Sequence, residues 1–262
     1  MNDKSIKIGF KNRFQYSYLL LIFLTASTQS FAQEMEGSIR YLLLHNWAKK
    51  MAAVDYLSKQ QKDKVSYMWG NESEWKQYAN LYFNAAGSKY EDSDERAEAD
   101  DQGYSWRKDV YVIRRDFAQN KTIDLIQLLG KTYLIEDSLV APDWKIKNDM
   151  KEVAGHICMN AFWEDTLKQE KISVWFALDM PLSAGPERLC GLPGIILEAN
   201  YNDGALSIVA DKIEMKKLEH ELDLPKKIKA KKITELAYQD IIRKQMAEKK
   251  ENEEPWFWGM RY

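Results

Sequence analysis

The sequence predicts an α+β protein that is mainly β, with a curved antiparallel sheet covered in part by a C-terminal helix. From Asp109 onward, short apolar segments alternate with turn residues, which is typical of strands joined by tight connections. Nine tryptophans and fourteen tyrosines suit broad sheet surfaces. Near the end, Thr234 can cap a helix whose Leu236, Ile241 and Ile242 fall on one side, so this helix has an apolar face that can pack on a sheet.

Most of the predicted strands lie in the second half of the chain. They are Val110 to Phe117, Thr122 to Leu129, Thr132 to Asp137, Lys145 to Lys147, Val153 to Trp163, Ile172 to Leu178, Gly194 to Tyr201, Leu206 to Ile213 and Ile228 to Ile233. An Asn-Asp-Gly turn at 202–204 separates two of these segments, which predicts a β-hairpin. The charged segment 234–262 is predicted to be helical.

The region before Asp109 has a mixed pattern. Gly37 to Leu43 and Ala79 to Phe83 are predicted strands, and the apolar spacing within 46–64 favours one helix without a clear cap. The acidic run at 88–103 predicts a loop. A calcium site is the alternative for this loop, because its aspartates are hard oxygen ligands, although the spacing of a calcium-binding loop is missing. The aspartates concerned are Asp92, Asp94, Asp100 and Asp101.

Residues 1–32 have the three regions of an export signal. A basic segment from Lys4 to Arg13 precedes an apolar run from Tyr18 to Ala26, and Ser30 and Ala32 are the small residues that a signal peptidase reads. The apolar run is shorter than the roughly 20 residues that span a bilayer, which argues against an uncleaved anchor. We therefore expect cleavage near Ala32 and a periplasmic or secreted protein.

Residues 33–262 are expected to form a single domain without a transmembrane segment. The formal net charge of the whole chain is −2, and removal of the basic signal makes the remainder more acidic. A general nucleic-acid binder would be basic, so nucleic acid is not an expected partner. One lysine-rich stretch predicts a solvated edge strand, with a binding patch as the alternative. It contains Lys226, Lys227, Lys229, Lys231 and Lys232.

A turn-rich segment, which we call the Gly-Pro corner (residues 185–194), stands between two predicted strands. Glycine supplies backbone freedom and proline fixes φ, so the segment predicts a shaped, rigid connection with Leu192 turned inward. The residues that define this structural motif are Gly185, Pro186, Cys190, Gly191, Leu192, Pro193 and Gly194.

The same segment carries a family resemblance. Cys190-Gly191-Leu192-Pro193-Gly194-Ile195-Ile196-Leu197-Glu198, together with Val174 to Pro186 before it, resembles the signature of the GLPGLI family of secreted Bacteroidetes proteins. Ile195 and Ile196 stand where the namesake motif has Leu-Ile. Weaker matches extend the resemblance over roughly residues 110 to 215.

The resemblance implies export but no reaction, since the family has no established biochemical activity. Its genes often lie beside those of outer-membrane receptors, so a TonB-dependent receptor is the implied partner. We therefore expect a non-enzymatic binding or accessory protein. A carrier of a hydrophobic or peptide ligand is an alternative, because curved sheets with aromatic concavities suit such ligands.

Two cysteines and one histidine are the most suggestive chemical groups. His156 and Cys158 are two apart on a predicted strand and so share a face. In an oxidising compartment Cys158 and Cys190 are expected to form a disulfide. Two free thiols are one alternative, and a copper or zinc site using His156, Cys158 and Cys190 is another. No other cofactor is expected.

The sequence contains no familiar catalytic motif. It has no Gly-x-Ser-x-Gly elbow and no glycine-rich phosphate loop, and it has only three histidines. Pairs of carboxylates such as Glu164 with Asp165, or Asp179 with Glu187, are common in any acidic chain. No catalytic residue is therefore predicted.

Overall fold

One sheet of twelve strands dominates the part of the chain that the computed structural model describes, residues 35–69, 74–97, 109–226 and 229–262. The strands are β1 (Gly37–Asn46), β2 (Glu74–Asn84), β3 (Gly87–Asp92), β4 (Tyr111–Asp116), β5 (Lys121–Leu128), β6 (Lys131–Ser138), β7 (Lys145–Val153), β8 (His156–Asp165), β9 (Glu170–Ala177), β10 (Ile196–Tyr201), β11 (Leu206–Met215) and β12 (Lys231–Ile233). The predicted signal segment lies outside the described residues.

The strand order is β12-β6-β5-β4-β3-β2-β1-β11-β10-β9-β8-β7. Neighbouring strands are antiparallel except for β12, which runs parallel to β6. The sheet is therefore mixed rather than purely antiparallel as predicted. The hairpin at 202–204 is confirmed: β10 pairs with β11, and Asn202, Asp203 and Gly204 all have positive φ.

Three α-helices and one short 3₁₀ helix accompany the sheet in the described ranges. They are α1 (Trp47–Ala53), α2 (Lys59–Trp69), α3 (Glu235–Glu251) and the 3₁₀ helix Trp256–Trp258. The single helix predicted over 46–64 is wrong, because the chain stops being helical at the buried Val54 and restarts after Ser58. Both starts have caps that the sequence reading missed: the Lys49 amide donates to Asn46 Oδ1, and the Gln61 amide donates to Ser58 Oγ.

The acidic loop predicted at 88–103 is partly wrong. Residues 88–92 belong to β3, which lies between β2 and β4 with Tyr90 buried. The polar side chains of this strand are paired: Lys89 contacts Glu91 at 3.0 Å, and Asp92 accepts two hydrogen bonds from Arg261. Asp92 is thus used as an ion-pair partner rather than as a calcium ligand. Residues 98–103 of the predicted loop, with Asp100 and Asp101, lie outside the described residues.

The two outer strands of the sheet differ in character. At one edge, β12 carries the exposed Lys231 and Lys232, which confirms the predicted lysine-protected edge for these two residues. Lys226 and Lys229 precede the strand, and Lys227 lies outside the described residues. At the other edge, β7 exposes Ile146 and Met150.

The C-terminal helix begins as predicted, but it ends earlier. The Ala237 amide donates to Thr234 Oγ1, and the buried Ile242 packs with the core. The helix contacts β6. It stops at Glu251, and the segment 252–262 returns to the core with Trp256 stacked on Tyr262 at a centroid distance of 5.1 Å. The prediction of a helical segment over 234–262 is therefore wrong beyond residue 251, where the chain turns back, forms the short 3₁₀ helix Trp256–Trp258, and buries Trp256, Phe257 and Tyr262.

Candidate binding cavity

The Gly-Pro corner is held against the sheet by backbone hydrogen bonds on both sides. The Ile195 amide donates to the Met180 carbonyl, and the Ala177 amide donates to the Ile195 carbonyl. Leu192 is only 2% exposed, which confirms that it points inward. The Ile196 amide also donates to the carbonyl of Ala184, the residue before the corner, so the corner is fixed at its two ends.

Two glycines of the corner are required for different reasons. Gly191 has φ +94°, a conformation that favours glycine. Gly194 lacks a positive φ, but a Cβ atom there would lie 1.9 Å from the carbonyl oxygen of Ala177. The backbone freedom that the sequence predicts for the glycines of the corner is therefore not what Gly194 requires. The requirement comes from the close approach of two backbones.

The corner opens into a cavity of about 370 Å³. Residues of β4–β6, of β8–β10, of α3 and of the C-terminus line this cavity. The lining residues are Tyr111, Arg115, Thr122, Ser138, Leu139, Val140, Ala141, Pro142, Trp163, Asp165, Thr166, Leu167, Lys168, Glu170, Ile172, Glu187, Arg188, Leu189, Tyr201, Glu235, Tyr238, Gln239, Ile242, Arg261 and Tyr262. This volume is within the range of small-molecule sites.

Two networks of paired charges form much of the cavity wall. In the first, Asp124 is fully buried and binds both Arg115 and Arg188. Burial alone would raise the pKa of Asp124, but the two guanidinium groups hold it below its usual value. Arg188 also pairs with Glu235 of α3, so the corner, the sheet and the helix are linked by one set of ion pairs.

The second network joins the corner to the C-terminus. Glu187 has an unusual positive φ of 55° and is buried. Its carboxylate accepts hydrogen bonds from Arg261 and from the Tyr90 hydroxyl. Arg261 also binds Asp92 and lies 3.8 Å from the centre of the Tyr111 ring. Glu187 and Arg261 are thus saturated with partners inside the protein.

Glu170, the first residue of β9, is the exception among the carboxylates of the wall. Its side chain is 2% exposed, and Oε1 has no hydrogen-bond partner among the described residues. Burial raises its pKa from 4.5 to about 7. A carboxyl group in this state can bind a cation or a hydrogen-bond donor that enters the cavity.

Arg115 offers a second unsatisfied atom on the same wall. Its terminal nitrogen binds Thr122 and Asp124, while the buried Nε has no partner in the described part of the chain. An unpaired buried donor is costly, as is an unpaired buried acceptor. Two residues of the cavity wall, Glu170 and Arg115, thus each have one buried polar atom without a hydrogen-bond partner among the described residues.

The predicted disulfide is absent, and this expectation is corrected. Cys158 and Cys190 both lie in described segments, are buried, and are free thiols that are not close to each other. Cys158 is five residues from Trp163 on β8 and so faces the other side of that strand from the cavity. Cys190 lies on the cavity side, where its carbonyl accepts a hydrogen bond from Trp144, which packs against Trp163.

The suggested metal site is not assembled either. His156 Nδ1 is 2.9 Å from Asp179 Oδ2, and the Cys158 thiol donates to the His156 carbonyl oxygen instead of sharing a ligand with the ring. Cys190 is beside Arg115, away from this pair. Within the described ranges, no group of three or more His, Cys, Asp or Glu residues could hold a metal ion.

Neither thiol is activated as a nucleophile. Burial raises the pKa of Cys158 from 9.0 to about 11. Burial also raises the pKa of Cys190, and the nearby Arg115 offsets this only in part. Both groups therefore remain protonated at neutral pH.

The comparisons with known proteins are consistent with this fold but name no activity. A family model described as "Protein of unknown function (Porph_ging)" matches residues 162–198. The matched segment runs from β8 through β9 and the Gly-Pro corner into β10, and it includes Glu170, Glu187 and Arg188 of the cavity wall. A search of curated protein sequences finds no match.

Solved structures of PNGF-II share the fold. The structures in space groups C2 and P2₁ align with TM-scores of 0.52 and 0.53 at 13% sequence identity. Each alignment covers 79% of this chain but only 32% and 33% of the PNGF-II chain, so this chain spans about a third of that protein. An uncharacterized conserved protein from Thermus thermophilus aligns with a TM-score of 0.37 at 7% identity, over 83% of this chain and 99% of that chain.

Proposed function

We propose that this chain is an exported, non-enzymatic binding protein whose ligand occupies the cavity beside Glu170. The observation that carries the proposal is a buried carboxyl on the cavity wall that has an unpaired oxygen among the described residues. In the absence of a ligand, the unpaired buried group lowers the stability of the folded protein. A ligand that pairs with it would remove this destabilisation. The unpaired Nε of Arg115 on the same wall supports the same conclusion.

The fold offers such a site because distant strands meet at the cavity. Tyr111 and Arg115 come from β4, whereas Trp163 and Glu170 come from β8 and β9. These strands are well separated in the strand order, so a curved sheet is favoured. In this proposal α3 covers part of the concave side, consistent with its lining residues Glu235, Tyr238, Gln239 and Ile242.

The family resemblance supports the cellular setting of the proposal. The Gly-Leu-Pro-Gly sequence at 191–194 lies inside the matched segment 162–198, which favours a GLPGLI-type protein. Export with cleavage near Ala32 and association with a TonB-dependent outer-membrane receptor are part of this proposal. No helix in the described residues is long and apolar enough to cross a membrane.

Among ligands, a small polar molecule or short peptide fits the wall better than a lipid. The wall contains three guanidinium groups, those of Arg115, Arg188 and Arg261, and several carboxylates, which would be costly to bury against an acyl chain. Its aromatic residues provide apolar contact area beside these charges. The peptide form of the carrier hypothesis is therefore preferred to the hydrophobic form.

Filling the cavity tests the proposal. Gln239 of α3 lines the cavity and is partly exposed, so Gln239→Trp can place a ring in the cavity without disturbing the deep core. Asp240→Trp, on the exposed side of the same helix, is the matched control. Native mass spectrometry of protein purified from its own periplasm should detect a small molecule on the wild type and on Asp240→Trp, but not on Gln239→Trp. Absence of any bound molecule from all three proteins would contradict the proposal.

A further inference from the structure

We infer that the ligand of the cavity is an organic ammonium ion, such as a primary amine or the free N-terminus of a peptide, whose N–H groups bind Glu170. This inference rests on the proposed function and assigns the chemical class of the ligand. It follows from which polar atoms on the cavity wall have partners and which do not.

The other carboxylates of the wall already have donors. Glu187 is bound by Arg261, and Glu235 is bound by Arg188. Asp165 accepts the backbone N–H groups of the turn that follows it, those of Leu167 and Lys168. Glu170 is the carboxylate on this wall whose buried oxygen has no partner in the described chain.

The charged groups that face Glu170 leave one of its oxygens without a donor. They are Lys168 and Asp165 from the adjoining turn and strand, Lys50 from α1, and Glu187 from the corner. Lys168 donates to the Arg261 carbonyl at 2.9 Å, and Lys50 is 2.8 Å from His45 Nδ1. Both lysines thus have partners elsewhere, while Oε1 of Glu170 has none in the described ranges, so a cation from outside can supply the missing donor.

A cation fits this wall better than an anion does. The charges of Arg115, Arg188 and Arg261 are all taken up by carboxylates of the protein, so an anion finds these guanidinium groups already neutralised. The one N–H among them that lacks a partner in the described chain, Arg115 Nε, can be satisfied by a neutral acceptor. A cation finds Glu170. The rings of Tyr201 and Trp163 on the same wall can also contact the apolar body of an amine and attract its charge.

Three probes of one size and different charge test the inference: phenethylamine, the neutral 2-phenylethanol and the anionic phenylacetate. Calorimetric titration of the full chain should show that phenethylamine binds at least about tenfold more tightly than the other two at pH 8. Glu170→Gln keeps the shape of the side chain and should remove this preference. Glu164→Gln, which removes the same charge from an exposed position of β8, should retain it.

The pH dependence provides a second readout. Because the free Glu170 carboxyl takes up a proton below a pKa of about 7, an ammonium ion must displace that proton at lower pH. Affinity for phenethylamine should therefore fall by up to roughly tenfold for each pH unit below 7. The Glu170→Gln variant should show no such dependence.

Several outcomes would overturn the inference. Preferential binding of phenylacetate or 2-phenylethanol, no binding of phenethylamine at about millimolar concentration, or an unchanged preference in Glu170→Gln would each do so. The same probes distinguish a failure of this inference from a failure of the proposed function. If a neutral or anionic probe binds and Gln239→Trp abolishes that binding, the cavity does bind ligands, so the proposed function stands and only the ammonium assignment is wrong.

Discussion

The buried Glu170 carboxyl lowers the folding stability of the free protein, and this loss can be measured because it depends on pH. Its carboxyl has a pKa of about 7 when folded, against an ordinary value of 4.5. The folded state therefore holds a proton that the unfolded state releases, and stability falls as pH rises from about 4.5 to about 7. Glu170→Gln removes this fall, and its advantage over the wild type should be larger at pH 8 than at pH 5 by up to about 3 kcal/mol.

Urea unfolding of both proteins at the two pH values measures this difference. Glu164→Gln serves as the control, because Glu164 is exposed and its replacement should shift stability little at either pH. An equal effect of Glu170→Gln at pH 5 and pH 8 would show that the carboxyl is solvated in the free protein.

The sequence alone could not identify Glu170. It stands between Gln169 and Lys171 at the end of a polar turn, which is typical of an exposed hairpin. Its burial depends on the pairing of β8 with β9 and on the approach of the C-terminal residues, which are distant in sequence. By contrast, the burial of Leu192 was predictable, because the glycines and proline around it allow a sharp local turn.

Among the elements, the Gly-Pro corner has the strictest steric requirement. Gly194→Ala should destabilise the fold by about 1–3 kcal/mol, since even the smallest side chain would meet the Ala177 carbonyl oxygen. Gly194→Val should cost more. Thermal unfolding of the purified variants measures these changes.

Gly130 provides a matched control for this prediction. It has φ +73°, and a Cβ atom added there meets no atom within 4 Å. Gly130→Ala should therefore show only a backbone cost of about 1 kcal/mol. A Gly194→Ala variant as stable as the wild type would mean that β9 and the corner do not approach so closely.

Elements with local signals were easier to predict than elements defined by distant partners. The β10–β11 hairpin follows from its Asn-Asp-Gly turn, and the start of α3 follows from the Thr234 cap. The local sequence of β3 predicts a loop because it is rich in charge, and the residues that pair with this charge, such as Arg261, lie far along the chain. The break between α1 and α2 depends on caps that are weak signals in sequence.

At the scale of the whole molecule, the strand order determines what the cavity is made of. The sheet begins at β12 and ends at β7, yet residues of β4–β6 and β8–β10 line one space. A β-rich class was predictable from the spacing of apolar segments. The prediction of a disulfide was wrong because an oxidising compartment carries no information about the distance between two cysteines. The strand geometry puts Cys158 and Cys190 on different sides of β8.

The titration of Glu170 in the presence and absence of an amine tests the proposed binding site most directly. In isotopically labelled protein, NMR can follow the side-chain carboxyl carbon of Glu170, assigned by its loss in Glu170→Gln. The pKa should be about 7 in the free protein, because the carboxyl is buried with an unpaired oxygen, and should fall towards 4.5 when phenethylamine saturates the cavity. A pKa near 4.5 in the free protein, or a pKa of about 7 that the amine does not change, would contradict the proposed site.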